Sequence, residues 1–160
     1  MKRIITFLPL LLAACVPASR PPAIAPAPAR PVAAPVAAAL ALGPDWRDWP
    51  LTPGRWSYAR GSGASFGEPG QAARLGFRCE GGRVVLTLPG ASPAPATIRT
   101  SSTARALPVE GGAAALSPAD PLLDAVAFSR GRFTVERPGL APLVVPAHAE
   151  VARVVEDCRG

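Results

Sequence analysis

Residues 63–67 read GASFG and match the pattern G-x-S-x-G, in which a serine between two glycines acts as an acyl-transfer nucleophile. Asp120, Asp124 and His148 come later in the chain, so that an acid and a histidine follow Ser65. In such a triad the histidine accepts the serine proton and the carboxylate orients the imidazole ring. These residue types therefore raise serine hydrolysis as one hypothesis.

The residues around Ser65 argue against that chemistry. The order Ser, acid, His is that of α/β-hydrolases, whose nucleophile stands on a sharp turn between a strand and a helix. Residues 68–70 read EPG, and a proline at this place prevents an immediate helix. The part of the chain that can fold is also much shorter than that sheet requires. We expect a glycine-rich hairpin loop at residues 61–67 and no catalytic residue.

Other catalytic and metal-binding patterns are missing from the sequence. His148 is the only histidine, so a site with several histidine ligands cannot form, and the only lysine, Lys2, excludes a serine-lysine pair in the folded part. Asp120 and Asp124 share a helix face, which suits a paired-carboxylate site or, more simply, acids at a helix N-terminus. We expect no metal site and no cofactor.

Aromatic side chains are concentrated in residues 45–58, which hold all three tryptophans and the only tyrosine. Trp46, Trp49, Trp56 and Tyr58 are candidate ligand-binding residues, because aromatic rings flanked by arginines can hold a sugar ring or a peptide. The simpler interpretation places Trp56 in the core of a strand and uses Trp46 and Trp49 to clamp the preceding segment onto the domain. The sequence leaves both interpretations open.

The net charge argues against a nucleic-acid partner. The whole chain carries a formal charge of +6, with 17 basic and 11 acidic residues. Four of the basic residues precede residue 45, so residues 45–160 hold 13 arginines against the same 11 acids. A nucleic-acid-binding surface needs basic residues concentrated on one face. A smaller patch remains a hypothesis for anionic envelope glycans, through Arg99, Arg105, Arg130 and Arg132.

The first residues have the organisation of an export signal. Lys2 and Arg3 precede an apolar segment, residues 4–12, which Pro9 interrupts. This segment is too short to supply the ~20 residues with which a helix crosses a bilayer. A basic start, a short apolar run and small residues before a cleavage site are typical of a secretory signal peptide. We predict a signal peptide over residues 1–14.

Leu12-Ala13-Ala14-Cys15 resembles the lipobox of bacterial lipoproteins, a leucyl or branched residue and two small residues before a required cysteine. The resemblance implies cleavage before Cys15, a diacylglycerol on its thiol and a further acyl chain, such as palmitate, on its amine. Such chains anchor a protein with ~0.8 kcal/mol per buried CH₂. Val16 follows instead of the aspartate that signals inner-membrane retention in this family. The resemblance therefore implies a lipid anchor in the outer membrane of a Gram-negative bacterium, on its periplasmic face. The alternative is an ordinary secretory signal with an incidental cysteine.

The composition of residues 15–44 predicts a disordered linker that begins at the lipidated cysteine. Residues 16–44 contain eight prolines and neither an acidic nor an aromatic residue. Such a segment cannot bury a core, and its prolines favour extended polyproline II at ~3.1 Å per residue. The linker would hold the folded domain, residues 45–160, away from the lipid surface.

Cys79 and Cys158 are the two cysteines that remain beyond Cys15. In an exported protein such a pair indicates a disulfide, because the periplasm is kept oxidising. The alternatives, two reactive thiols or a metal pair, have no C-x-x-C pattern and no neighbouring histidine to support them. We predict a Cys79–Cys158 bridge between a central strand and the last helix.

The folded part has the pattern of a small, β-rich α+β domain, an antiparallel sheet or sandwich with one internal helix and a C-terminal helix. Short alternating runs bounded by glycine and proline predict strands in 55–60, 73–79, 82–89, 96–102, 131–137 and 141–147. Apolar residues at helical spacing predict helices within 117–131 and from 147 to the end. Asp120 or Ser117 is the expected cap of the first helix, and Pro121 suits its first turn.

The folded part is also similar to a group of small lipoproteins of Gram-negative bacteria to which no activity is assigned. The stretches that carry this likeness are DWRDWPLTPGRWSY, RCEGGRVVL, TIRTSSTARAL, DPLLDAVAFSRGRFTVE and EVARVVEDCR. A weaker likeness links it to small periplasmic β-sandwich proteins of the envelope. Since this likeness brings no activity or site residue with it, our leading hypothesis is a membrane-anchored, non-catalytic protein that binds or scaffolds an envelope glycan or protein. Two alternatives stay open: a glycan or peptidoglycan binder that uses the tryptophans, and a small hydrolase at Ser65.

Overall fold

The computed structural model describes residues 42–90 and 93–160. The predicted signal peptide, Cys15 and all but the last three residues of the predicted linker lie outside the described residues. A short 3₁₀ turn, Trp46–Asp48, precedes nine strands and two helices in these ranges. In chain order the elements are β1 (Arg55–Ala59), β2 (Gly63–Gly67), β3 (Leu75–Glu80), β4 (Arg83–Thr87), β5 (Ala96–Arg99), β6 (Ala104–Leu107), β7 (Ala113–Leu116), α1 (Pro121–Ala127), β8 (Arg132–Glu136), β9 (Leu143–Pro146) and α2 (Ala149–Arg159).

The strands form two antiparallel sheets. The five-stranded sheet has the order β1-β2-β3-β4-β7, and the four-stranded sheet has the order β6-β5-β8-β9. Hairpins join β1 to β2, β3 to β4, β5 to β6 and β8 to β9. The predicted fold class, a β-rich α+β sandwich with one internal helix and a C-terminal helix, is confirmed.

A single hydrophobic core joins both sheets and both helices. Phe66 and Phe77 of the five-stranded sheet, Phe133 of the four-stranded sheet, Leu123 of α1 and Val154 of α2 belong to one cluster of buried residues. Each of these side chains is at most 3% exposed. Burial of a side chain of this size contributes about 1.5–3 kcal/mol relative to an exposed one.

The inner face of the five-stranded sheet is covered by two different layers. Helix α2 packs against β1, β2, β3 and β4 and against α1. Its buried residues, Val151, Val154 and Val155, join the same cluster as the inward-facing residues of the four-stranded sheet. One part of the sheet therefore lies under helices, and the other part lies under a second sheet.

Three strands were missing from the sequence-based expectation. The GASFG stretch was expected to be a hairpin loop and is strand β2, so that expectation is wrong; β6 and β7, with the sequences ARAL and AAAL, were not predicted. Gly63 shows why β2 needs its glycines: it has φ +97°, and a Cβ there would lie 2.2 Å from the carbonyl oxygen of Phe77. Close approach of two strands, rather than strand propensity, selects these residues.

Asp120 caps the N-terminus of α1 and also links this helix to β6 through Arg105. Its Oδ1 accepts a hydrogen bond from the N–H of Leu122 at 2.9 Å, as expected of a cap, and Nη2 of Arg105 lies 2.8 Å from each carboxylate oxygen. The hydrogen bond from Arg105 is the main cause that holds the pKa of Asp120 below its ordinary value. Burial acts in the opposite direction, and the N–H of Leu122 adds to the lowering. The capping prediction for Asp120 is confirmed.

Two substitutions separate the effect of the Asp120 charge on stability from the effect of its capping hydrogen bond. Asp120→Asn keeps a good capping side chain and removes the charge, whereas Asp120→Ala removes both. We expect Asp120→Asn to lower the free energy of unfolding at pH 7 by about 1.5 kcal/mol, the loss of a charge-assisted hydrogen bond. Asp120→Ala should cost about 1 kcal/mol more. Urea unfolding followed by circular dichroism measures both values.

The effect of Asp120→Asn should depend on pH. Because the pKa of Asp120 is lowered in the folded state, its ionised form stabilises the fold above the unfolded-state pKa of about 3.9 and this stabilisation is lost as the pH falls through the lower, folded-state pKa. The difference between wild type and Asp120→Asn should therefore shrink below about pH 4. Asp124→Asn, which removes an exposed ion pair with Arg159, is the matched control and should cost about 0.5 kcal/mol. A difference for Asp120→Asn that stays constant into the acid range would contradict the assignment.

Candidate functional site

Ser65 lies in the middle of β2, on the sheet face opposite the neighbouring Phe66. It pairs in register with Ser57 of β1, and the two hydroxyl oxygens are 2.8 Å apart. A strand residue paired to its neighbour is not the sharp strand-to-helix turn on which a nucleophile of the G-x-S-x-G type stands.

The acids and the histidine of the proposed triad are engaged elsewhere. Asp120 binds Arg105, and Asp124 accepts a hydrogen bond from Arg159 at 2.9 Å. His148 is the residue before α2, where its Nδ1 lies 4.0 Å from a carboxylate oxygen of Glu150. None of these three residues contacts Ser65 in the part of the chain that the structure describes.

The four aromatic residues do not form an exposed platform. Trp46 and Trp56 are only 8% and 9% exposed. The Trp56 ring packs against Phe66 and Phe77, with centroids 5.5 and 6.2 Å away, and its Nε1 donates to the carbonyl of Pro146 at 2.8 Å. The interpretation of Trp46 and Trp56 as ring faces open to a ligand therefore does not fit the structure, because burial in contact with other side chains leaves no free face.

The segment before β1 is held against the second sheet. Trp49 donates from Nε1 to the carbonyl of Gly43 at 2.7 Å, and its own carbonyl accepts from Arg132 of β8 at 2.6 Å. Thr52 and Val144 of β9 exchange two hydrogen bonds of 2.9 Å, one of them through the threonine hydroxyl. These contacts connect the last residues of the predicted linker to the edge of the four-stranded sheet, as the clamp interpretation expected of Trp49.

The four arginines that were grouped as an anion-binding patch do not share one surface. Arg105 pairs in register with the buried Ile98, whereas Arg99 is the next residue along β5 and faces the other side of the sheet. Arg99 donates to Glu136 at 3.0 Å. Arg132 is occupied by the carbonyl of Trp49, and Arg130 lies in the loop that follows α1. A single anion cannot meet all four guanidinium groups at once.

The predicted disulfide between Cys79 and Cys158 is present, with Cα atoms 5.3 Å apart. Cys79 pairs in register with the buried Val84, so it points to the inner face of the sheet. Cys158 lies in the last turn of α2 and packs against the core cluster. The bridge therefore ties the C-terminal end of α2 to the strand that it covers.

A large cleft opens beside this disulfide. It has a volume of about 580 Å³, and we call it the disulfide cleft. Its walls come from the β1–β2 turn on one side and from the last two turns of α2 on the other. Its lining residues are Arg60, Gly61, Gly63, Cys79, Val154, Glu156, Asp157 and Gly160.

Tyr58 of β1 lies next to the disulfide cleft and contacts one of its lining residues, Asp157. Its hydroxyl donates a hydrogen bond to Oδ2 of Asp157, and the guanidinium carbon of Arg153 lies 5.6 Å from its ring centroid. The hydrogen bond to the Asp157 carboxylate is the main cause that raises the pKa of Tyr58 above its ordinary value, while Arg60 acts in the opposite direction. The phenol therefore stays protonated at neutral pH and serves as a hydrogen-bond donor.

The disulfide cleft combines hydrogen-bond donors with acceptors, and its lining side chains carry both positive and negative charge. Arg60 supplies donors, and Glu156 and Asp157 supply acceptors. This chemistry suits recognition of a polar ligand rich in hydroxyl or amide groups. Within residues 42–90 and 93–160, no group of three metal-ligating side chains comes together.

Of the site residues predicted from the sequence, only Cys79 lines this cleft, and Tyr58 reaches it through its hydrogen bond to Asp157. Arg60, Glu156 and Asp157 were not predicted, because single charged residues in a turn and at a helix end carry no recognisable pattern. The one available signal was the position of Asp157, directly before a cysteine that was expected to bridge back to the sheet.

Comparison with known proteins adds no relative: no family model, no curated protein and no solved structure matches this chain. Among the described residues, none of the helices has the length and apolar character needed to cross a membrane.

Removal of the disulfide should strongly destabilise the domain. We expect the double variant Cys79→Ser/Cys158→Ser to lose roughly 4 kcal/mol of unfolding free energy, because the bridge closes a loop with a sequence separation of 79 residues. Urea titration with and without a reducing agent measures this loss. The reducing agent should destabilise the wild type and leave the double variant unchanged. Equal stability of the oxidised and reduced wild type would contradict a structural role of the bridge.

Proposed function

We propose that this protein is a lipid-anchored, non-catalytic domain of the bacterial cell envelope. The observation that carries the proposal is the Cys79–Cys158 bridge in a chain whose residues 12–15 read LAAC. A structural disulfide persists in an oxidising compartment such as the periplasm. An acylated Cys15 would deliver the domain to that compartment and keep it at a membrane surface.

The contacts of the segment before β1 support a tethered domain. Gly43 accepts a hydrogen bond from Trp49, and Trp49 in turn accepts one from Arg132. A pull on the linker would therefore act on a segment joined to β8 and β9 by hydrogen bonds. In this proposal the linker holds the folded part at a distance from the membrane, and the hydrogen bonds fix the end of the linker to the domain. The membrane implied by the lipobox resemblance is the outer membrane.

The lipid anchor is tested by replacing its cysteine. Cys15→Ala should block acylation, so the protein should leave the outer-membrane fraction or accumulate with its signal uncleaved. Fractionation of a Gram-negative host, together with the mass of the mature protein, measures both outcomes. Ser19→Ala, a nearby change outside the resemblance, is the control and should remain membrane-bound. Complete outer-membrane fractionation of Cys15→Ala would refute the lipoprotein proposal.

A second candidate function is recognition of an envelope glycan or peptidoglycan fragment, and the disulfide cleft favours it. The cleft places Arg60, Glu156 and Asp157 around one opening beside the half-buried ring of Tyr58. Sugar hydroxyls and peptide amides pair with such mixed donors and acceptors, and a partly exposed aromatic ring adds an apolar contact. In this proposal Tyr58 is the one member of the aromatic cluster that serves the ligand.

Binding in the disulfide cleft is tested with soluble muropeptides and lipopolysaccharide. We expect a saturable change in tryptophan fluorescence, because Trp56 lies two residues from Tyr58 on the same face of β1. Glu156→Ala should weaken binding about tenfold through the loss of a charged acceptor. Glu68→Ala, which removes an exposed acid that does not line the cleft, is the matched control and should bind like the wild type. Unchanged fluorescence and no heat of binding with either ligand would exclude this function.

A further inference from the structure

A second cleft opens at another edge of the core and differs in chemistry from the disulfide cleft. It has a volume of about 230 Å³, and we call it the apolar cleft. Its lining is mostly apolar, with two arginines and no acidic residue among the described residues that line it. The lining residues are Arg74, Leu88, Pro89, Val135, Arg137, Leu140, Ala141 and Leu143.

The apolar cleft lies where the two sheets separate. Leu88 follows β4 of the five-stranded sheet, and Val135 and Leu143 face each other on β8 and β9 of the four-stranded sheet. Leu88 and Val135 belong to the main core cluster, and Leu143 packs against it. Leu140, in the turn between β8 and β9, is 59% exposed at the rim. An apolar ligand group in this cleft would therefore continue the core outward.

Both charged side chains of the apolar cleft are cationic. Arg137 donates from Nη1 to the carbonyl of Pro89 at 2.9 Å, which positions its guanidinium group at the rim. The Arg74 side chain makes no hydrogen bond or ion pair with the residues that the structure describes. Arginine carries several donors in a planar fork that matches a carboxylate. The apolar cleft thus combines an apolar floor with a rim that attracts an anion.

We propose that the apolar cleft binds the anion of a medium-chain fatty acid, with the alkyl chain on Leu88, Val135 and Leu143 and the carboxylate at Arg74 and Arg137. The volume of about 230 Å³ suits a small ligand. Each CH₂ group of the chain that is buried in the cleft adds to the affinity. An uncharged or cationic ligand of the same length would lose the contribution of the arginines.

The strand arrangement favours an acyl chain over a peptide. A peptide that binds a sheet adds to a strand edge that has no partner. At the apolar cleft, β4 lies between β3 and β7, β8 lies between β5 and β9, and the outer edge of β9 is paired with Thr52 at Val144. A peptide would therefore find few backbone partners there, whereas an alkyl chain needs none.

Fatty-acid binding in the apolar cleft depends neither on the proposed anchor nor on ligand binding in the disulfide cleft. Failure of the Cys15→Ala test would leave the apolar cleft intact, and absence of fatty-acid binding would leave the anchor intact.

The apolar cleft is tested with octanoate on the isotope-labelled full-length protein. We expect saturable shifts of the methyl resonances of Leu88, Val135 and Leu143 in nuclear magnetic resonance spectra, with octanol and octyltrimethylammonium producing much weaker shifts. Arg74→Gln should weaken octanoate binding about tenfold, since it removes a charge-assisted contact. Arg55→Gln, an exposed arginine outside the apolar cleft, is the matched control and should bind octanoate like the wild type.

A second pair of variants tests the apolar contact. Leu140→Ser should weaken octanoate binding, whereas Leu51→Ser, which changes another exposed leucine, should not. Unchanged amide spectra would show that each variant is folded. The proposal is overturned if octanoate causes no saturable shift, if the cationic ligand binds equally well, or if Arg74→Gln binds octanoate unchanged. Binding of a peptide with an apolar C-terminal residue in place of octanoate would also overturn it.

Discussion

The Cys79–Cys158 bridge is the constraint on which the arrangement of this domain depends. It joins the inner face of β3 to the last turn of α2, so the helix is fixed to the sheet at the end farthest from its own start. The buried valines of α2 cover an inner face that the four-stranded sheet does not reach, and loss of this cover would expose core residues to water. The bridge also forms part of the disulfide cleft. The stability of the domain and the shape of the disulfide cleft therefore depend on the same bond.

The two layers that cover the five-stranded sheet explain why the two clefts differ. Where α2 meets the sheet, the helix presents Glu156 and Asp157 and the β1–β2 turn adds Arg60, so the lining of the disulfide cleft is charged. Where the second sheet meets the first, strand residues alternate between inner and outer faces, so the apolar cleft continues the inner, apolar face. One domain thus offers a polar and an apolar surface at different edges of a single core.

The aromatic segment shows how far the sequence could be interpreted and where it stopped. Alternation in β1 offered a core position for Trp56 as the simpler interpretation, and the burial of Trp56 agrees with it. The contrast with linker composition predicted the start of the folded part near residue 45. The sequence did not distinguish a ligand platform from a clamp, because both interpretations require the same aromatic residues near the start of the domain. Burial of Trp46 and Trp56 and the hydrogen bonds of Trp49 decide for packing and clamping. The anchor at Cys15 stays a prediction of the sequence.

Local patterns of the sequence determined the features that depend on neighbouring residues. They include the strands within 131–137 and 141–147, a capped helix whose first turn holds Pro121, the amphipathic α2 and, because only two cysteines follow residue 15, the disulfide pairing. Only the tertiary structure decided that the glycine- and alanine-rich stretches of β2, β6 and β7 are strands and that Ser65 faces away from Asp120 and His148. It also decided where the two clefts open. These features depend on segments that meet across the fold, as Trp56 does with the carbonyl of Pro146, 90 residues later, and short-range periodicity carries no record of such contacts.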